Sequence, residues 1–137
     1  MSSRATTATL TEEQRAFLRD NPYVAVVTTL RRDGSPHSTV VWVDEDRGDV
    51  LFNTVQGRAK QRHLDADPRV SVLVVDPHDA YKWVAASGTA DMTTEGAAEH
   101  IDKLSRKYLG KEYPWKPEDE QRVIVRVHPV TIDSTGF

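Results

Sequence analysis

Apolar positions recur along this chain in short, strand-length runs separated by polar turn signals. The runs are rich in Val, Ile, Thr and aromatic residues, and Gly, Pro, Asp or Asn stands between them. The first run is apolar at every position from 23 to 27, which predicts a strand buried on both faces. Asp33-Gly34 then predicts a hairpin turn. Six strands are predicted, over residues 23–30, 37–43, 50–54, 70–75, 81–92 and 121–132.

Three other segments carry the spacing of amphipathic helices. Residues 11–14 fit a capping box in front of an apolar stripe. A short second helix is predicted to begin near Arg58 and to end before Asp67, because a residue that precedes proline is disfavoured in the α region. The third helix is predicted to have Thr94 as its cap and Gly110 as its end. Its apolar stripe is Ala97, Ile101, Leu104 and Tyr108.

The order of these elements bounds the fold class. Three strands come in succession before the short helix, which argues against a doubly wound α/β fold. Antiparallel hairpins with single helices between them indicate a barrel or strongly coiled sheet with peripheral helices. Residues 44–49 predict a polar turn, and Gly88 predicts a bulge within the fifth strand. Residues 1–9 are predicted to be a disordered tail, and residues 10–137 a single domain.

The composition of the chain argues against several classes of function. The chain has 137 residues, no cysteine and a net charge of −3, so a disulfide framework and a cysteine metal site are excluded. The weakly acidic balance argues against nucleic-acid binding, which usually shows a basic domain. No apolar run approaches the ~20 residues that cross a bilayer, and the first residues lack an apolar signal segment. We therefore expect no membrane association and a cytoplasmic location.

Basic residues crowd the start of the short helix, where Arg58, Lys60 and Arg62 follow the turn residue Gly57. A helix start exposes unpaired N–H groups and the positive end of the helix dipole, so cations there are normally unfavourable. A bound phosphate or carboxylate would compensate for them. The alternative is a solvated basic face on a surface helix, and the residues alone leave both interpretations open.

Signatures of several enzyme classes are missing. The sequence has no dinucleotide-binding, P-loop, serine-hydrolase or zincin motif, and its five histidines lack ligand spacing. We therefore expect no metal site and assign no catalytic residue.

Four segments, residues 33–43, 52–60, 67–71 and 83–90, carry a family resemblance. The most specific part is Gly57-Arg58-Ala59-Lys60 with Asp67-Pro68-Arg69 downstream. Over about residues 10–132 the chain resembles the actinobacterial split β-barrel flavin/deazaflavin oxidoreductases. It is most similar to their coenzyme F420-dependent branch, which is related in fold to pyridoxamine 5′-phosphate oxidase. The fold implied is a six-stranded antiparallel split β-barrel, mainly β with peripheral helices.

The resemblance implies a homodimer with two cofactor sites at the subunit interface, each built from both chains. In the family, residues matching Arg58 and Lys60 hold the phosphate and tail of the cofactor, and the ring lies against the strand matching residues 37–41. Tyr81 and Trp83 match aromatic positions that reach the site from the second subunit, with barrel core or dimer contact as the structural alternative. The implied cofactor-binding residues are His37, Ser38, Thr39, Val41, Asn53, Thr54, Arg58, Ala59, Lys60, Tyr81 and Trp83.

The implied reaction is hydride transfer from reduced coenzyme F420 to a small reducible organic molecule such as an enone or a quinone. A cofactor that carries the hydride itself needs orientation and charge complementarity from the protein, which suits a sequence without a marked nucleophile or metal site. Three cations match a tail with a phosphodiester and glutamates better than they match FMN, which has one phosphate. Two alternatives stay open: an FMN-binding oxidase or reductase, and a non-catalytic carrier or sensor of a flavin or tetrapyrrole. Trp115, in a Pro-rich loop, is placed over the substrate opening as a hypothesis.

Overall fold

Seven antiparallel strands and three helices make up the described part of the chain, residues 8–137 of a computed structural model. Most of the tail predicted to be disordered therefore lies outside the described residues. The helices are α1 (Glu12–Asp20), α2 (Ala59–Ala66) and α3 (Ala97–Leu109). The strands are β1 (Ala25–Leu30), β2 (Pro36–Val41), β3 (Asp44–Asp46), β4 (Asp49–Val55), β5 (Arg69–Asp76), β6 (Asp79–Thr93) and β7 (Arg122–Thr135).

The strands form one sheet in the order β2-β1-β5-β6-β7-β4-β3. Residues of β2 and β4 line a common cavity although these two strands are not neighbours in the sheet, so the sheet curls back on itself and leaves a gap there. This is the open barrel that the sequence predicts, with one additional short strand. Helix α2 packs against β1 and β4, beside this gap.

The polar turn predicted over residues 44–49 is shorter in the structure, because residues 44–46 form the extra strand β3. Asp46 pairs with Asp49, so the turn consists of Arg47 and Gly48 alone. Both have positive φ, 52° and 88°, which is the conformation of a two-residue hairpin turn that matches the twist of the sheet.

Strand β1 is buried on one face only, so the prediction of burial on both faces is wrong for the single chain. Ala25 and Val27 are fully buried, whereas Val24 just before the strand and Val26 within it are 53% and 38% exposed. The neighbouring exposed residues Val40 and Val75 extend this apolar surface over β2 and β5. We call the surface formed by Val24, Val26, Val40 and Val75 the outer sheet face.

The bulge predicted at Gly88 is confirmed. The register between β6 and β7 shifts between Ser87 and Gly88. A Cβ at position 88 would overlap the carbonyl oxygen of His128, so only glycine lets the two backbones come this close. Long strands bend at such bulges, which here helps the sheet to close around its core.

The helices follow the predicted boundaries with one correction. Helix α1 has the expected capping box, in which the N–H of Gln14 donates to Thr11 Oγ1 and the N–H of Thr11 donates to Gln14 Oε1. Helix α3 ends at Gly110 as predicted, but its N-cap is Gly96 with φ 75° and not Thr94. The core joins Phe17 and Leu18 of α1 to Leu64 of α2 and the inward-facing strand residues. None of the described helices has the length and apolar character that a membrane crossing requires.

Candidate functional site

A cavity of about 210 Å³ lies where the curled sheet leaves its gap. It contains Arg58 at the N-cap of α2 and Lys60 in the first turn, and we call it the Arg58 cavity. Strands β2 and β4 form two of its walls, and helix α3 with the following loop forms another. Its lining residues are Val40, Val41, Trp42, Asn53, Thr54, Arg58, Lys60, Ile101, Leu104 and Tyr113.

Positive charge dominates the helix end of this cavity. Arg58 provides no side-chain cap, and the first turn of α2 holds no acidic residue. Burial, followed by the nearby charge of Arg58, lowers the pKa of the half-buried Lys60. Two cations at a helix start repel each other and the helix dipole, so an anion bound between them would be stabilised by all three.

Arg58 has a partner within the chain that its sequence neighbourhood does not reveal. Its Nη2 lies 2.6 Å from Oε1 of Glu120, which comes from the loop before β7. The other carboxylate oxygen of Glu120 lies 3.4 Å from Nη2 of Arg122. Glu120 therefore bridges two arginines at the edge of the cavity.

The inward face of β2 continues from the cavity towards the β1–β2 turn. Strand alternation places His37, Thr39 and Val41 on this face. Nδ1 of His37 and Oγ1 of Thr39 are buried and have no hydrogen-bond partner among the described residues. Buried polar atoms without partners are costly, so this row offers two hydrogen-bonding groups to a bound molecule.

His37 packs edge to face against His63 of α2, with ring centroids 5.1 Å apart. Nδ1 of His63 lies 2.9 Å from Oγ1 of Thr29, a fully buried residue of β1. Burial, and then the charges of His37 and Arg31, lower the pKa of His63. The contact with Thr29 thus holds the His63 ring in place against His37.

Aromatic side chains form the apolar wall of the cavity. Trp42 stacks on Tyr108 with centroids 5.3 Å apart and meets Tyr113 edge to face at 6.0 Å. Tyr113 in turn meets Trp115 at 5.4 Å. Tyr108 is held by its hydroxyl, which donates to the carbonyl of Tyr23 at 2.6 Å. This wall suits a planar, conjugated molecule.

A second, strongly basic cavity of about 540 Å³ lies at the other end of α2. Arg31, Arg32, Arg62 and Arg69 line it together with a single acid, Asp67, which pairs with Arg69 at 2.7 Å. We call it the Arg62 cavity. Helix α2 has only eight residues and spans about 12 Å, so the two basic cavities lie about one short helix length apart.

The structure brings together part of the site that the sequence predicts. Val41, Asn53, Thr54, Arg58 and Lys60 line one cavity, Ala59 begins the adjoining helix, and His37 and Thr39 face the same side. Ser38 lies on the opposite face, where its Oγ is 2.9 Å from Oγ1 of Thr28.

Tyr81 and Trp83 stand apart from this cavity. They lie at the start of β6, where Trp83 pairs with Val75 and Tyr81 is 80% exposed. Neither lines the Arg58 cavity. Their assignment to a site shared between subunits stays a prediction.

Sequence reasoning missed several residues of the cavity. Trp42, Ile101, Leu104 and Tyr113 carry ordinary core or loop signals. The end of β2 brings Trp42 to the site, and the placement of α3 and its loop brings the other three. Glu120 is separated from Arg58 by 62 positions, and no local pattern links them. The nearest signal was Trp115, whose loop was expected to cover the site and does supply Tyr113.

The family model described as pyridoxamine 5′-phosphate oxidase matches residues 10–136. The chain therefore belongs to this family, and the resemblance and the fold class inferred from the sequence are confirmed.

Individual relatives agree with this assignment. The F420H(2)-dependent biliverdin reductase of Mycobacterium tuberculosis is 29% identical over 122 residues, which cover 89% of this chain and 85% of the relative. A solved structure described as an F420 reductase superposes with a TM-score of 0.77 and 27% identity, covering 86% of this chain and 94% of its own. A conserved hypothetical protein from M. tuberculosis has the same fold, with a TM-score of 0.74 at 24% identity and coverage of 98% and 89%.

Proposed function

We propose that this protein is a coenzyme F420-dependent oxidoreductase that reduces a small conjugated organic molecule. The observation that carries the proposal is the Arg58 cavity, in which two cations at a helix start face an aromatic wall and a strand whose buried polar atoms find no partner within the described residues. Two relatives whose names contain F420 support the choice of cofactor. When bound, the reduced deazaflavin supplies the hydride.

The residues of the chain fit such a cofactor. Arg58 and Lys60 would bind its phosphodiester, since two cations at a helix start stabilise a phosphate anion. His37 and Thr39 would offer hydrogen bonds to the polar edge of the ring, because both have a buried atom with no hydrogen-bond partner in the described part of the chain. Trp42 and Tyr113 would exclude water and hold planar groups. The protein thus contributes orientation and charge, as expected where the cofactor carries the chemistry.

The distribution of charge favours a long anionic cofactor over FMN. One phosphate can engage Arg58 and Lys60, but it does not reach the four arginines of the Arg62 cavity at the far end of α2. A tail of several carboxylates would span both. FMN remains the rival within the family, and a carrier or sensor of a flavin or tetrapyrrole is the rival without catalysis.

Titration of the purified protein separates these functions. Visible absorption is recorded first, followed by fluorescence titrations with coenzyme F420, FMN and haem. We expect binding of coenzyme F420, with reoxidation of its reduced form by an activated enone, a quinone or biliverdin. Micromolar affinity for FMN without affinity for coenzyme F420 would overturn the proposal, and haem binding alone would favour the carrier.

Charge substitutions locate the site. Arg58→Ala and Lys60→Ala should each weaken binding of coenzyme F420 by roughly 1.5–3 kcal/mol, the scale of a charge-assisted hydrogen bond. Arg62→Ala is the matched control, because Arg62 lines the other cavity and its Nε donates to the carbonyl of Gly57. We expect a smaller loss for it. If Arg58→Ala bound coenzyme F420 with unchanged affinity, the assignment of the cofactor phosphate to Arg58 would be wrong.

We propose further that the protein is a homodimer in which a second copy covers the outer sheet face. Residues 23–27 have the composition of a strand buried on both faces, yet Val24 and Val26 are exposed in the single chain. An open apolar groove of about 440 Å³ continues this surface, between Leu30 and Val130. Contiguous apolar surface of this kind marks an association site. Tyr81, 80% exposed at the start of β6, would then be available to the partner's site.

Sedimentation velocity tests the dimer. Val26→Asp places a charge in the outer sheet face and should yield monomers, whereas Leu109→Asp, at an apolar residue of α3 with 44% exposure, should leave the dimer intact. A wild-type protein that sediments as a 15.4 kDa monomer and binds the cofactor fully would contradict the two-chain site.

A further inference from the structure

We propose that Glu120 is an internal competitor for the cofactor phosphate: it occupies Arg58 in the free protein and so sets the affinity of the Arg58 cavity for anions. The inference rests on the proposed function, in which Arg58 binds that phosphate. It adds an affinity-determining residue that does not itself contact the cofactor.

The contact between Glu120 and Arg58 has the geometry of a charge-assisted hydrogen bond. Nη2 of Arg58 lies 2.6 Å from Oε1 of Glu120, and the Glu120 side chain is only 22% exposed. An incoming phosphate seeks the same guanidinium group, and its negative charge is repelled by the carboxylate. Binding at Arg58 therefore requires Glu120 to share this partner or to leave it.

Glu120 has an alternative partner ready. Its Oε2 lies 3.4 Å from Nη2 of Arg122, whose side chain is 12% exposed. Arg122 is fixed by Tyr113, since its guanidinium group lies 4.8 Å from the ring centroid and its Nη2 is 3.2 Å from the hydroxyl oxygen. Glu120 can thus give up Arg58 and keep an ion pair. That makes displacement less costly than exposing an unpaired, largely buried carboxylate.

The displacement reaches the loop that carries the aromatic wall. Residues 110–121 are held to α3 by Asp102, which accepts from the N–H of Tyr113 at 2.9 Å and from Nζ of Lys116. On the other side the loop is held to α2 through Glu120 and Arg58. Release of this second contact changes the restraint on the segment containing Trp115.

The test compares Glu120→Gln with Asp119→Asn in equilibrium titrations with coenzyme F420. Both substitutions remove one negative charge from the same loop, but Asp119 forms no ion pair among the described residues, unlike Glu120. We expect Glu120→Gln to bind three- to tenfold tighter and Asp119→Asn to stay within about 1.5-fold of wild type. Glu120→Ala should reproduce the tightening, which guards against a new hydrogen bond made by glutamine.

A second readout avoids the cofactor altogether. Inorganic pyrophosphate should raise the thermal unfolding temperature of Glu120→Gln more than that of wild type, because the free guanidinium group binds the anion better. In the Arg58→Ala background the Glu120 substitution should have no effect on either measurement.

The outcomes separate this inference from the proposed function. If Arg58→Ala weakens binding but neither Glu120 variant tightens it, the competitor role is overturned and the site stands. If Arg58→Ala leaves the affinity unchanged, the phosphate assignment fails with it. Tightening in Glu120→Gln that equals tightening in Asp119→Asn would show only a general charge effect and would also overturn the proposal.

Discussion

Nδ2 of Asn53 lies 3.2 Å from Nδ1 of His100 and 3.0 Å from the carbonyl oxygen of Ala97, and it donates to both. Oδ1 of Asn53 accepts from Arg122 at 3.4 Å, which fixes the orientation of the amide. Asn53 therefore joins β4 to α3. Because Nδ1 of His100 accepts, its proton resides on Nε2, which is buried 3.8 Å from the carboxylate of Asp44.

Asn53→Ala tests this connection between β4 and α3. It leaves the buried Nδ1 of His100 without its donor and removes a side-chain hydrogen bond to the carbonyl of Ala97, so we expect a loss of about 2 kcal/mol in the free energy of unfolding, measured by urea denaturation. Asn21→Ala is the matched control, because Asn21 donates only to the carbonyl of Phe17 at a helix end. A loss at Asn53 no larger than that at Asn21 would contradict the structural role.

Lys107 makes the free energy of unfolding depend on pH in the alkaline range. Its Nζ donates to the carbonyls of Leu18 and Val43 at 2.7 and 2.8 Å, and burial lowers its pKa from 10.5 to about 8. Between these two pH values the unfolded chain binds a proton that the folded chain releases, so stability rises with pH in this window. The neutral amine keeps both donors, and partial solvation limits the gain to about 1–2 kcal/mol.

Thermal unfolding at pH 7.5 and pH 9.5 measures this dependence. Lys107→Met removes the ionisable group and should flatten the difference, whereas Lys111→Met, on the exposed loop after α3, should leave it unchanged. Wild-type stability that falls steadily from pH 8 to pH 10 would show that Lys107 stays protonated in the folded protein.

Local signals explain how much of the fold could be predicted. The capping box of α1, the proline after Asp67 and the Gly88 bulge each act within a few residues, and each was correctly located. The cap of α3 was missed because Thr94 has a better capping side chain than Gly96, and the left-handed backbone at Gly96 is set by the exit from β6. The exposed face of β1 was missed because composition does not distinguish a strand covered by its own chain from one left open.

Gly88→Ala tests the close approach of β6 and β7. The added Cβ would overlap the carbonyl oxygen of His128, a backbone atom that cannot move without breaking the pairing of β7. We expect a loss of at least about 3 kcal/mol, or failure to fold, judged by the near-ultraviolet circular dichroism and by urea unfolding. Thr89→Ala, at the exposed next position of the same strand, should cost far less. A Gly88→Ala protein as stable as Thr89→Ala would show that the two strands lie further apart.

The candidate site likewise contains residues that local sequence signals predict and residues that they do not. Arg58 and Lys60 could be located from a turn, a helix start and a charge pattern that lie side by side in the sequence. Glu120, Tyr113 and Trp42 could not, because they meet Arg58 only after β7, α3 and β2 have packed around the gap in the sheet. A linear sequence records which residues carry charge but not which distant carboxylate neutralises it.

His37→Ala tests whether the protein supplies more than orientation. Nδ1 of His37 is buried and has no hydrogen-bond partner among residues 8–137, and the ring packs against His63, so it is placed to hydrogen-bond a bound molecule rather than to exchange protons with solvent. We expect turnover with reduced coenzyme F420 to fall by less than about 10²-fold, below the range typical of a lost general acid or base. His78→Ala, at an exposed residue of the β5–β6 turn, serves as the control and should leave turnover unchanged. The assay follows cofactor reoxidation with an enone, a quinone and biliverdin as acceptors, and cofactor affinity is measured for each variant. A loss beyond about a thousandfold at unchanged affinity would mean that His37 delivers an obligatory proton, and catalysis would then not rest on orientation and electrostatics alone.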